Sequence, residues 1–324
     1  ERARLDKLYE KAKVSQWNGQ TDLDWSIDVD PYKVLSPADP AEVAYFAENP
    51  ESPLYKLNEK EWEDLGVESM NWSLSQFLHG EQGALVCTAK IVETVPWIDA
   101  KYYAATQVVD EARHVEAFAR YLDEKMPATY PINENLKSLI DQVLRDERWD
   151  LVYLGMQVVI EGLALAAFGL MLGTTQEPLL KAMLRYVMAD EARHVAFGIL
   201  SLQELYEDMD AAEFRVRQEF AYEACNMMRR RTLNSELWPS FGISNAEIEA
   251  LLPSQQSQQR MQHLLFSKIV PNCKKLGLLD LRDGWLRERF QEMGIIQYEN
   301  WENTAEALTI GDAVEPIHLG ASTT

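Results

Sequence analysis

Apolar residues recur at helical spacing along four long stretches of this chain, roughly residues 61–94, 96–125, 134–172 and 178–206. Each stripe follows the i, i+3, i+4, i+7 rhythm of a helix with one buried face. Pro96 suits the first turn of the second helix, and "KMPATYPIN" interrupts the chain after it. Gly173 ends the third helix. Before the first helix, "DVDPYKVLSPADPAE" and "NPESP" read as an irregular arm with a few short helices. After the fourth, further helices are predicted at 210–231 and in the C-terminal third, with a polar break at "LPSQQSQQ". The pattern predicts an all-α protein with an N-terminal arm (1–60), a helical bundle (61–231) and a C-terminal helical extension packed on it (232–324).

One residue on each stripe breaks the apolar pattern. Glu81 lies among Leu74, Phe77, Leu78, Ala84 and Leu85, and Glu161 among Leu154, Val158, Leu165 and Phe168. Glu111 and His114 share a stripe with Ala104, Val108, Val115 and Phe118; Glu191 and His194 share one with Leu184, Val187, Val195 and Gly198. A carboxylate buried without a partner costs several kcal/mol, and four that converge repel one another. No Lys or Arg sits on these stripes to neutralise them. Two divalent cations would cancel the four charges, and two neutral imidazoles would complete the ligand set.

The spacing repeats. Glu81 to Glu161, Glu111 to Glu191 and His114 to His194 share one separation, and "DEARHV" is written twice, at 110–115 and 190–195. The site is therefore expected to be built twice, from two helix pairs related by a pseudo-twofold.

One glutamate from each of two helices and Glu-x-x-His from each of two others is the ligand pattern of ferritin-like dimetal carboxylate proteins. The "DEARH" copies resemble the DExRH signature of bacterial multicomponent monooxygenase hydroxylases and their relatives, including ribonucleotide reductase small subunits. The resemblance covers roughly residues 65–205 and implies a ferritin-like four-helix bundle. It implies that Asp110 and Asp190 each accept a hydrogen bond from the ligand histidine of the other motif, with Arg113 and Arg193 beside them. It further implies metal ligation by Glu81, Glu111, His114, Glu161, Glu191 and His194. Mixed carboxylate and imidazole ligands suit two iron ions, or a Mn/Fe pair, with positions open for O2. The chain departs from two subfamilies. Monooxygenase hydroxylases usually carry a threonine where Leu165 stands. Arylamine N-oxygenases of the p-aminobenzoate type carry an additional histidine ligand where Val187 stands.

The expected activity is O2-dependent oxidation of a small organic substrate by a non-heme diiron oxygenase: hydroxylation, amine N-oxygenation or desaturation. Phe77, Ala84, Gln157, Phe118, Leu165 and Val187, each one turn from a predicted ligand, are the candidates to line a substrate pocket. With no nucleotide motif in the chain, electrons would come from an external donor, a ferredoxin or a reductase, or from the substrate itself. The alternatives are an iron-handling ferroxidase and a radical subunit of ribonucleotide reductase type. Such radical subunits typically place their tyrosine one turn after the first motif's histidine, where this chain has Phe118.

Charge narrows the partners. A net charge of −21 disfavours nucleic acid, which needs clustered Lys and Arg. Residues 151–173 are apolar enough to suggest a membrane span, but Gln157 and Glu161 at the middle favour a buried helix over a span. Cys87, Cys225 and Cys273 lack any CxxC spacing and read as reduced thiols of a cytoplasmic protein. A homodimer is compatible with this reading. His79 falls on a different face from Glu81, and His263 and His318 lie in the C-terminal part with expected structural roles.

Overall fold

The computed structural model describes residues 2–35, 40–251, 265–280 and 283–301. Its secondary structure is helical; among the described residues the only β feature is an isolated bridge between Leu35 and Thr175. His263, His318 and the "LPSQQSQQ" break lie outside the described residues.

Helix α1 (Arg2–Val14) and the short α2 (Pro40–Ala47) precede the bundle. The bundle helices are α3 (Glu59–Thr94), α4 (Ile98–Lys125), α6 (Trp149–Thr174) and α7 (Pro178–Glu207), with α5 (Glu134–Arg145) between the two halves. Helix α8 (Ala211–Arg231) follows, then α9 (Asn245–Leu251), α10 (Ile269–Lys275) and α11 (Trp285–Glu292). Helices α3 and α4 pair, α6 and α7 pair, and α4 lies against α7, which closes a ferritin-like four-helix bundle.

The ends are set locally. Asn58 caps α3 reciprocally with Glu61, satisfying two backbone donors at once. Pro178 opens α7 behind Glu177, whose carboxylate accepts from the Leu179 and Leu180 amides. Pro96 lies outside the second helix, which begins at Ile98.

The third predicted helix differs from the sequence expectation in two ways. The stretch 134–172 is not one helix. It breaks at Asp146, whose side chain accepts from the Arg148 backbone amide, and helix resumes at Trp149. Within α6, Leu154–Ile160 is π-helical, so the Glu161 amide donates to the Met156 carbonyl five residues back. Every residue from Asp150 to Glu161 is buried, so no polar face marks the change of helical pitch. Gly198 of α7 lets the helices meet here: a Cβ on it would lie 2.5 Å from Cβ of Gln157.

The arm also differs, because it opens with the regular helix α1, packed on α4 and α7. Helix α8 lies on α5 and on the π-helical stretch, and α11 packs on α8. Helix α6 is long and apolar enough to cross a membrane, yet 83% of its most apolar window is buried inside the protein. The three cysteines are free and buried.

Candidate metal centre

The four glutamates and two histidines of the apolar stripes meet in the middle of the bundle. All six are at least nine-tenths buried. Nδ1 of His114 lies 3.2 Å from Glu81 Oε2, 3.2 Å from Glu191 Oε1 and 3.5 Å from Glu111 Oε2. Across the pseudo-twofold, Nδ1 of His194 lies 3.2 Å from Glu111 Oε1 and 3.5 Å from Glu191 Oε2. Glu111 and Glu191 thus face both imidazoles, while Glu81 belongs to the His114 side and Glu161 to the His194 side.

The other imidazole nitrogens point away from the cluster. Nε2 of His114 is 3.1 Å from Asp190 Oδ2, and Nε2 of His194 is 3.3 Å from Asp110 Oδ2. Each histidine therefore reaches the aspartate of the opposite motif. A carboxylate there holds the proton on Nε2 and leaves the Nδ1 lone pair turned inward. Arg113 and Arg193 bind the same two aspartates, so that pair of negative charges is already matched.

The remaining four carboxylates are not. Gln107 donates to Glu111 Oε1 and to Glu161 Oε1, both at 2.9 Å. Oε2 of Glu111, Glu161 and Glu191 and Nδ1 of His194 are buried and make no hydrogen bond. Burial, and then the charge of Glu191, push the Glu81 carboxyl up to about 8 and Glu161 well above its usual range. Burial opposes charge on Glu111 as well, but the imidazoles outweigh it and hold that carboxyl below the usual range. Both imidazoles are raised in spite of burial, His114 first by Glu81 and His194 first by Glu111.

These atoms fit a pair of cations. Glu81, Glu111, His114 and Glu191 offer ligand atoms within 4.8 Å of one another, and so do Glu111, Glu161 and His194. The orphaned carboxylate oxygens are acceptors without donors, and bound cations would satisfy them and cancel their charge together. Oxygen with imidazole nitrogen suits iron and manganese.

Several contributors were invisible in the sequence. Trp17, from the arm, donates Nε1 to Asp190 Oδ2 at 2.8 Å and stacks on Tyr186 with ring centroids 4.9 Å apart. Gln16 donates to Asp110 at 3.0 Å and accepts from Arg113 at 2.6 Å. These contacts link segments far apart in the chain, so no local motif announces them. Gln107 did carry a signal, since it lies one turn before Glu111 on the same face.

A narrow cleft, about 30 Å³ inside and about 440 Å³ with the open space at its mouth, reaches Glu81, Glu161 and Glu191 from the side of α3, α6 and α8. Of the predicted pocket positions, Phe77 and Ala84 line it. Phe118 and Val187 pack in an apolar cluster with Phe168 and Leu184, and Leu165 packs on Ala192. Gln157 is fully buried against Gly198, with neither end of its amide hydrogen-bonded. His79 is turned away, its Nε2 2.9 Å from the Tyr130 carbonyl.

The sequence model of one family, described as p-aminobenzoate N-oxygenase AurF, matches residues 88–277. No curated protein matches. Among solved structures, an R2-like ligand-binding oxidase with an aerobically reconstituted Mn/Fe cofactor is similar at 19% identity and a TM-score of 0.52, over 84% of this chain and 92% of that one. A variant of such an oxidase with an anaerobically reconstituted Mn/Fe cofactor is similar at 20% identity and a TM-score of 0.53, with the same coverage. At that identity the likeness establishes the fold.

Proposed function

The chain belongs to the p-aminobenzoate N-oxygenase AurF family, and from that premise we propose that it oxidises a small organic substrate with O2 at a dimetal centre held by Glu81, Glu111, His114, Glu161, Glu191 and His194. The observation that carries this reading is the set of orphaned carboxylate oxygens facing one another at the centre of an apolar bundle. Two iron ions, or manganese with iron, are the proposed occupants. Bound there, they would supply electrons to O2 and oxidising power to the substrate.

The chain's own residues do the rest. Glu111 and Glu191, which face both imidazoles, would hold the two ions together, and Glu81 and Glu161 would each complete one side. Asp190 and Asp110 fix the imidazoles with Nδ1 inward, and Arg113 and Arg193 pair with those aspartates. Gln107 orients Glu111 and Glu161 through its amide N–H groups. The surrounding apolar side chains exclude water and strengthen these electrostatic contacts.

Val187 separates this chain from arylamine N-oxygenases that carry a third histidine there: it is fully buried in an apolar cluster and offers no ligand. The proposed centre therefore has two imidazoles. A ferredoxin or reductase is the proposed electron donor, and the protein is proposed to act in the cytoplasm.

The test is oxygen uptake by iron-loaded, reduced protein. An oxygenase consumes about one O2 per organic product when substrate is present. A ferroxidase would instead take up iron far beyond two ions per chain, and that result would replace this reading.

A further inference from the structure

The cleft that reaches the carboxylate cluster is apolar along its walls and cationic at one point. Phe77, Ala84, Leu163, Phe168 and Met228 line it, and Arg231, the last residue of α8, opens onto it. Arg231 ends a run of three arginines. Arg229 and Arg230 are exposed, whereas Arg231 is only 8% exposed.

The Arg231 guanidinium has no acceptor of its own among the described residues. Its Nε is buried without a hydrogen bond, and its carbon sits 5.5 Å from the centre of the Trp72 ring. Glu236 supplies the opposite charge that acts on it. That carboxylate is committed elsewhere, accepting from Trp72 Nε1 at 2.9 Å and from Asn133 Nδ2 at 2.8 Å. Burial pulls the Arg231 pKa down to about 10 against the pull of Glu236. A largely buried guanidinium without a bonded anion is costly, and it presents a planar fork matched to a carboxylate.

We propose that Arg231 is the specificity-determining residue of this enzyme: it anchors the carboxylate of an apolar organic acid whose other end lies against Glu81, Glu161 and Glu191. The inference rests on the oxygenase reading for what happens at that other end. The polarity of the cleft supports it. An anionic head placed beside the glutamates would be repelled by them, whereas at Arg231 it is matched and leaves the uncharged end of the substrate at the cluster.

The test is binding, measured by calorimetry on the metal-loaded protein with matched acids and amides: p-aminobenzoate against 4-aminobenzamide, and octanoate against octanamide. At least one acid should bind roughly ten-fold or more tighter than its amide, the worth of a charge-assisted hydrogen bond. Arg231→Gln should abolish that preference by weakening the acid alone, and Arg231→Lys should retain part of it. Arg230→Gln, at the exposed neighbour, should leave it intact. Equal binding of acid and amide by the unaltered protein, or binding of neither, overturns the proposal whether or not the variants fold. So does a preference that survives in Arg231→Gln. The metal content of the same samples separates the two readings: a chain that loads its ions but ignores the carboxylate refutes the anchor alone, and a chain that loads none refutes the oxygenase reading.

Discussion

Replacing Asp190 with asparagine should weaken metal binding on the His114 side of the centre while leaving the bundle folded. The carboxylate of Asp190 lies 3.1 Å from His114 Nε2, accepts from Trp17 at 2.8 Å, and meets Arg193 and Arg113. Asparagine keeps the shape and one acceptor but removes the charge. His114 then becomes a poorer donor to metal, and losing such a partner typically costs about 10–100-fold in affinity. Two guanidiniums would also be left with Asp110 as their shared carboxylate. Breaking a buried pair costs about 3–5 kcal/mol, and the low end applies here because Gln16 and Asp110 still hold Arg113. Metal affinity is measured by competition with a chromophoric chelator, and the stability of the metal-free protein by urea unfolding. Asp141→Asn, in an exposed pair with Lys137, is the control and should change neither. A folded Asp190→Asn protein that binds metal as tightly as the parent would refute the idea that the crossed aspartates tune the histidines.

Other outcomes follow from the same geometry. Gly198→Ala should destabilise by about 1–3 kcal/mol in urea unfolding, because the new Cβ meets Cβ of Gln157, which cannot swing away. Gly66→Ala, in open space on α3, should instead be neutral or stabilise by about 0.5–1 kcal/mol. Metal uptake should release protons, measurable in weak buffer with a pH indicator, since Glu81 and Glu161 hold protons above their usual range until cations replace them. Affinity should accordingly fall as pH drops through the Glu81 value of about 8. Oxygenated, metal-loaded protein should show no long-lived tyrosyl signal by electron paramagnetic resonance. The Tyr103 hydroxyl is buried without an acceptor for its proton, and Phe118 has no hydroxyl at all.

The bundle and the residues at its centre were legible because each depends on local spacing. Glu-x-x-His puts two ligand types on one helical face, and a glutamate inside an apolar run is conspicuous whatever it contacts. The π-helical stretch was not legible, because a helix buried on all sides gives no amphipathic phase from which a change of pitch could be read. The break at Asp146 did leave a mark in the charged "RDER", but the apolar run on either side outweighed it. Trp17 and Gln16 touch the aspartates across most of a hundred residues or more, and pairing at that range has no signature in a single sequence. Arg231 reads as one of three surface arginines. Only the fold shows that the third is turned inward.

The central claim is that four buried glutamates and two histidines exist to hold two metal ions. Its most direct test is the metal content of folded protein reconstituted anaerobically with ferrous iron, measured by inductively coupled plasma mass spectrometry after excess metal is removed. Two ions per chain are expected, falling in Glu111→Ala and in His194→Ala, where the site keeps too few ligands. Folded protein that retains no iron or manganese at micromolar metal would contradict it.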